Sequence, residues 1–205
     1  MNTRDTTMSG TADAGPAPRA PAWVRAIAPY VPGKPIEELA RELHLDPATI
    51  VKLASNENPR GASPKALAAI REAAHDLTRY PDGSGFALRS ALSQFHGVGP
   101  ERIVLGNGSN DVLEMVAAAF LTPGDEAVYA QYAFAVYPLA TRARGATGVE
   151  VPARDYGHDL GAMRAAITPR TRVVFVANPN NPTGTWVASE AIAEFVASVP
   201  REVVV

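Results

Sequence analysis

Two short stretches hold residues whose types and spacing suit chemistry. In Leu105-Gly106-Asn107-Gly108-Ser109-Asn110-Asp111 a strand-like run passes through a glycine-rich turn into a helix, with Ser109 or Asn107 expected as its N-cap. Exposed amides and the positive end of a helix dipole make such a turn an anion site, contributing about 0.3–2 kcal/mol per negative charge. By itself the pattern reads equally well as a tight turn without a ligand. A dinucleotide site would want a third glycine near Asp111, and none is there. The second stretch is Asn178-Pro179-Asn180-Asn181-Pro182-Thr183-Gly184, directly after the apolar run ending at Val176. Asparagine offers both a donor and an acceptor, and flanking prolines restrict the backbone that carries it.

The elements that must position these stretches alternate along the chain. Ile103–Leu105, Ala127–Tyr129, Gly148–Val151 and Val173–Val176 read as strands, and Val203–Val205 begins another. Between them, helices are expected with Val112, Met115, Val116, Ala119 and Phe120 on one face, then over 134–144, 160–167 and 189–198. Upstream, Pro35 at N1 opens a helix over 36–43, and Ile50–Ala54 is β-prone. Ser63-Pro64 caps a helix with Leu67, Ile70, Ala74 and Leu77 as its buried stripe, and a further helix over 86–95 stops at Gly97. Strands alternating with helices predict an α/β fold, a mostly parallel sheet with helices on both faces. Loops at the carboxyl ends of such strands are where these folds place ligands.

Bulk properties narrow the rest. The 205 residues carry 19 Lys+Arg against 21 Asp+Glu, so no basic stripe argues for nucleic acid. There is no cysteine, which excludes disulfides and thiolate chemistry. The four histidines show no ligand spacing, and no metal site is expected. Residues 1–22 are rich in Ala, Pro, Thr and Gly without an apolar run and read as a disordered tail. No stretch approaches the length of a membrane span.

Asn181-Pro182-Thr183-Gly184 resembles the signature of fold-type-I, pyridoxal-phosphate-dependent aminotransferases, and Gly106–Asn110 is similar to their phosphate-binding turn. Pro29–Lys34 with Ile36-Glu37-Glu38, Leu53–Pro59, Arg79-Tyr80-Pro81-Asp82 and Tyr132–Tyr137 narrow the resemblance to the histidinol-phosphate aminotransferase family, from Trp23 to Val205. Arg60 departs from the apolar residue usual in that family. After the tail over 1–22, which has no counterpart in the family, the resemblance implies an N-terminal arm or part of a small domain over 23–54 and a cofactor-binding large domain over 55–205, expected to be truncated at its C-terminal end.

It also implies roles. Gly108, Ser109 and Asn110 would hold the cofactor phosphate. Phe134 would stack on the pyridine ring, and Asn181 would hydrogen-bond the phenolic oxygen. Tyr80 would reach the phosphate of the partner subunit's cofactor in a homodimer, and Asn56 would face the substrate. Read locally, Phe134 and Tyr137 at i, i+3 serve equally as helix core, Tyr80 as a turn residue and Asn56 as a turn cap. The family's Schiff-base lysine and pyridine-nitrogen aspartate would lie beyond Val205, since Lys34, Lys52 and Lys65 all precede the phosphate turn. No catalytic residue is therefore assigned, and the 205-residue chain alone is expected to be inactive and poorly soluble.

The activity implied is reversible conversion of histidinol phosphate and 2-oxoglutarate to imidazole-acetol phosphate and glutamate, in the cytoplasm. Two alternatives stay open. One is another aminotransferase or decarboxylase of the same subgroup, acting on an aromatic amino acid or threonine phosphate. The other is a non-catalytic nucleotide-binding module using Gly106–Ser109, which leaves the Asn181 loop unexplained.

Overall fold

A computed structural model describes residues 19–30, 33–53 and 55–205. Most of the expected tail, together with Val31, Pro32 and Ala54 of the family motifs, lies outside the described residues. The chain begins with α1 (Ala22–Arg25) and α2 (Ile36–Leu43), so Ala22 is helical rather than tail. Pro35 is the N-cap of α2 and not its first helical residue. Among its described residues the β-prone run after it forms no strand: Pro47–Thr49 is a 3-10 turn capped by Asp46, and Val51 and Leu53 project into solvent.

Next come α3 (Pro64–Ala73), α4 (Phe86–His96) and α5 (Ser109–Phe120). The stripe expected on α3 is not buried: Ile70 is 66% and Leu77 83% exposed. An apolar stripe needs an opposing layer, and among the described residues none covers it. For the same reason Ile103–Leu105 is extended but unpaired, with Val104 67% exposed. On α5 the packed face is Leu113, Val116, Ala117 and the following Leu121, while Met115 and Phe120 face outward. The expected stripe is thus rotated around the helix.

The sheet holds β1 (Glu126–Ala130), β2 (Thr147–Val151) and β3 (Thr171–Phe175), with α6 (Val136–Ala143), α7 (Leu160–Ala165) and α8 (Ser189–Ser198) between and after them. The strand order is β2-β1-β3 and both pairings are parallel. Val204 adds a parallel bridge to Val173, extending the sheet beyond β3. β1 is buried along its whole length, as a central parallel strand must be.

Each face of the sheet has its own core. Ala127, Tyr129, Val173 and Phe175 pack under α5 and α6, while Val128, Ala130, Val151 and Val174 pack under Met163, Phe195, Val199 and Val203. Fully buried side chains of the size of Met163 or Val174 contribute about 1.5–3 kcal/mol each. α1 docks at the far end of α6, where Trp23 lies over Gly145 so closely that a Cβ there would come within 3.1 Å of the indole.

Candidate active site

The glycine turn is built around two glycines with different duties. Gly106 lies against the first turn of α5, and a Cβ would meet that of Asp111 at 2.8 Å. Gly108 has φ +78° and ψ −179°, a conformation open to little but glycine, with nothing within 4 Å of a would-be Cβ. Gly108 is also the N-cap, in place of the expected Ser109 or Asn107, and no side chain caps the helix. Asp111 instead turns back to accept from the Asn107 amide at 2.9 Å. Ser109 and Asn110 therefore stand exposed in the first turn, where α-helix geometry leaves amides unpartnered. The space beside Gly108 is open, and unpartnered amides at a helix start suit an oxyanion.

Chain geometry sets which end of the sheet this turn occupies. Thr122 accepts a tight return, its amide and hydroxyl donating to Asp125 at 2.8 and 2.7 Å, so α5 runs back antiparallel to β1. The helix is about 18 Å long and a five-residue strand about 17 Å. The start of α5 is therefore level with the carboxyl end of β1, on the face covered by α5 and α6.

That end of β1 leads into Gln131–Phe134. Tyr132 is left-handed at φ +57°, and Phe134 leaves the turn half-buried against the α5–α6 core. The Phe134 ring meets Tyr137 edge-on at 6.0 Å, and Tyr137 stacks flat on Phe175 at 4.6 Å and 5°. Burial pushes the Tyr137 phenol above its ordinary range, so it stays neutral. One flank of Phe134 is thus fixed by the core.

The loop after β3 leaves the sheet from the same end, because β3 is parallel to β1. Its asparagines divide the work. Asn178 clasps Val187, donating to its carbonyl at 2.9 Å and accepting from its amide at 2.8 Å. Asn180 is 3% exposed and donates to the Tyr132 carbonyl at 3.2 Å and to Thr183 Oγ1 at 2.8 Å. The Asn180 amide and carbonyl close the loop on Thr185 and Gly184 at 2.7 and 2.8 Å. Asn181 sits half-buried between cis Asn-Pro bonds at Asn178-Pro179 and Asn181-Pro182. Its side-chain amide has no hydrogen-bond partner among the described residues, which leaves donor and acceptor both free.

Gly108, Ser109, Asn110, Phe134 and Asn181 thus gather at one end of the sheet. Tyr80 and Asn56 do not join them. Tyr80 is fully exposed in the loop before α4, and Asn56 is exposed with no side-chain hydrogen bond among the described residues. Sequence reasoning gave no separate role to Asn178 and Asn180, which shape the loop, nor to His158, whose Nε2 reaches the Ala177 carbonyl at 2.7 Å. Repeated asparagines between prolines were the available signal for the first two; His158 had none.

The arrangement can hold an anion at a helix start, a flat ring beside an aromatic side chain, and a ring oxygen at an amide. Comparison with known proteins points the same way. Residues 48–205 match the family described as aminotransferase class I and II. A histidinol-phosphate aminotransferase of Pseudomonas fluorescens is 64% identical over 182 residues, 89% of this chain and 49% of the relative. One from Thiobacillus denitrificans is 64% identical over 189 residues, 92% of this chain and 49% of the relative. Among solved structures, histidinol-phosphate aminotransferase from Sinorhizobium meliloti in complex with pyridoxal-5'-phosphate superposes with a TM-score of 0.79 at 26% identity, over 96% of this chain and 50% of that one. N-Succinyldiaminopimelate aminotransferase from Mycobacterium tuberculosis gives a TM-score of 0.66 at 30% identity, over 80% and 46%. The chain spans about half the length of the curated relatives it matches.

Proposed function

The chain belongs to the class I and II aminotransferase family, and from that membership we propose that it supplies the phosphate-holding half of a pyridoxal-phosphate enzyme that exchanges amino groups between an amino compound and a 2-oxo acid. The observation that supports this best is that β1 and β3 run parallel, so that the loops carrying Phe134 and Asn181 leave the sheet at the same end, the end to which chain direction brings the start of α5. When bound, pyridoxal phosphate supplies an electron sink for charge developing at the substrate's α-carbon. The chain's own residues bind and orient. The amides of Gly108, Ser109 and Asn110 take the phosphate, Phe134 backs the ring, and the free amide of Asn181 donates to the ring's phenolic oxygen. Tyr80 is assigned to the partner subunit's cofactor phosphate in a homodimer, and Asn56 to the substrate side. Residues 23–54 form the arm and 55–205 the cofactor domain.

No reacting group is assigned within the chain. Lys34, Lys52 and Lys65 all precede the phosphate turn, and Lys34 is ion-paired with Glu42 at 2.5 Å. Lys52 is paired with Glu57 at 2.8 Å.

The substrate pair proposed is histidinol phosphate with 2-oxoglutarate, in a cytoplasmic enzyme. No described helix is long and apolar enough to cross a membrane. The deciding experiment titrates the intact protein with pyridoxal phosphate and assays amino transfer from histidinol phosphate, phenylalanine and threonine phosphate side by side. Histidinol phosphate preferred by kcat/KM is the expected result. Preference for another donor moves the protein within its subgroup, and displacement of the cofactor by ADP or NAD overturns the reading.

A further inference from the structure

The loop that carries Asn181 is held from outside by a hairpin with no role in the reading above. Arg154 and Gly157 form an antiparallel bridge, their amides and carbonyls exchanging bonds of 3.2 and 2.8 Å. The two residues between them, Asp155 and Tyr156, are both left-handed, at φ +50° and +60°. That is the two-residue turn usually built from Asn and Gly. A tyrosine there is strained, and such strain persists only where the surroundings over-determine it.

The surroundings are the two loops of the site. Thr185 Oγ1 donates to the Tyr156 carbonyl at 3.1 Å, and the Tyr156 ring lies against Tyr132 at 5.4 Å. Gly157 approaches Thr185 so closely that a Cβ would meet its hydroxyl at 3.2 Å. His158, 8% exposed, follows directly, with Nε2 2.7 Å from the Ala177 carbonyl. A carbonyl only accepts, so Nε2 is the donor in this bond. Nδ1 is buried without a partner. A ring that leaves one nitrogen unsatisfied to aim the other at a single carbonyl is serving that carbonyl. Ala177 is the last residue before the asparagine loop, and Tyr132 is the one Asn180 holds from the other side.

We propose that the Arg154–His158 hairpin is a brace that sets the register of Asn181, with His158 as its positioning residue. The proposal rests on the cofactor reading only for what Asn181 is positioned toward; the brace itself is built from the chain's own residues. It acts by pinning both ends of the asparagine loop, at Ala177 and at Thr185.

Two variants separate the hydrogen bond from the packing. His158→Phe keeps the ring and loses the donor, whereas His158→Gln loses the ring but places a donor amide near the Nε2 position. In the intact, cofactor-free protein, amide hydrogen exchange over 177–185 should rise about 5- to 10-fold in His158→Phe, the scale of one net hydrogen bond, and return to within about 2-fold in His158→Gln. Exchange over β1 and β3 should be unchanged in both. Pyridoxal phosphate affinity should fall and recover in the same order, and the pH midpoint of the bound cofactor's visible absorption should move in His158→Phe only. Thr185→Val, which removes the other pin, should reproduce the exchange result and serves if His158→Phe does not fold.

Equal exchange in all variants, or equal loss in His158→Phe and His158→Gln, overturns the brace. A wild-type protein that does not bind pyridoxal phosphate overturns the cofactor reading instead, and the exchange measurement still decides the brace.

Discussion

The side-chain amide of Asn180 donates to the backbone carbonyl of Tyr132 at 3.2 Å, across 48 residues of chain. This bond ties the loop leaving β3 to the loop leaving β1, and it explains why a buried asparagine stands between two prolines. It also separates two asparagines that look equivalent in sequence. Asn180 spends its donors inside the protein, on Tyr132 and Thr183, whereas Asn181 keeps its amide free.

Asn180→Ala should therefore act first on loop order. Its acceptor oxygen is already without a partner, so the loss is on the donor side, where the carbonyl of Tyr132 and the hydroxyl of Thr183 are released. We expect a destabilisation of about 1–3 kcal/mol, read as a lowered urea midpoint with unchanged slope. Asn181→Ala should leave the midpoint within about 0.5 kcal/mol, as befits a side chain that holds nothing in place. Equal losses in the two would erase the distinction.

Gly108 offers a different test, because its side of the turn is empty. An added Cβ meets nothing within 4 Å, so Gly108→Ala is charged only for its backbone, about 1–3 kcal/mol at this φ and ψ. Gly61, at φ +74° and equally open, is the control for a positive-φ glycine elsewhere. Both variants should lose stability, but only Gly108→Ala should lower affinity for pyridoxal phosphate or inorganic phosphate, by about tenfold if one oriented amide is misplaced. Isothermal titration on the two variants separates the local effect from the general one.

β1 and β3 were legible in the sequence because a parallel strand covered on both faces must be a near-continuous apolar run, whereas β2, buried only at Val151, was marked by its place in the alternation of strands and helices. Ile103–Leu105 has the same composition but no paired neighbour among the described residues, so composition promised more than pairing delivers. The stripes of α3 and α5 failed for a related reason: periodicity identifies an apolar face without saying what covers it. The helix start was located correctly, but its cap was not. A side-chain cap was expected, whereas Gly108 holds the position and Asp111 serves Asn107 instead. Those substitutions leave the first amides of α5 free, which is what an anion site needs. His158 was invisible because its meaning lies in a contact 19 residues away.

At the opposite end of the sheet, acid should find a weak point at Glu126. This buried carboxylate accepts from Thr168 Oγ1 at 2.5 Å and from the Arg170 guanidinium. The Thr168 hydroxyl first, and then Arg170, hold it below the usual carboxylate range against the opposing effect of burial. A depressed folded-state value stabilises the ionised native form, so the contribution is complete above the unfolded carboxylate's value of about 4.3. It is lost as pH falls through the lower folded value. Glu126→Gln should be less stable than wild type at pH 7, and the gap should begin to narrow as pH falls below about 4.3 and close only below the lower folded value. Parallel curves over that interval in urea titrations would assign the acid limb to other groups.

Phe134 is where the core reaches the site. Its ring leans edge-on against Tyr137, which lies flat on Phe175 of β3, so three aromatic rings run from the sheet to the open end. A residue placed this way can lose its outer contact without disturbing the inner ones. Phe134→Leu should weaken pyridoxal phosphate binding by about 2- to 12-fold, the worth of an aromatic contact beyond its area, at a stability cost below about 1.5 kcal/mol. Tyr137→Leu should do the reverse in emphasis. It removes the stacked ring that props Phe134, so stability should fall by more than in Phe134→Leu, and affinity should fall with it. Double-mutant coupling between positions 134 and 137 on cofactor affinity measures the relay directly. Strict additivity would mean that Phe134 is held by the backbone turn at Ala133 alone and that the aromatic column plays no part in presenting it.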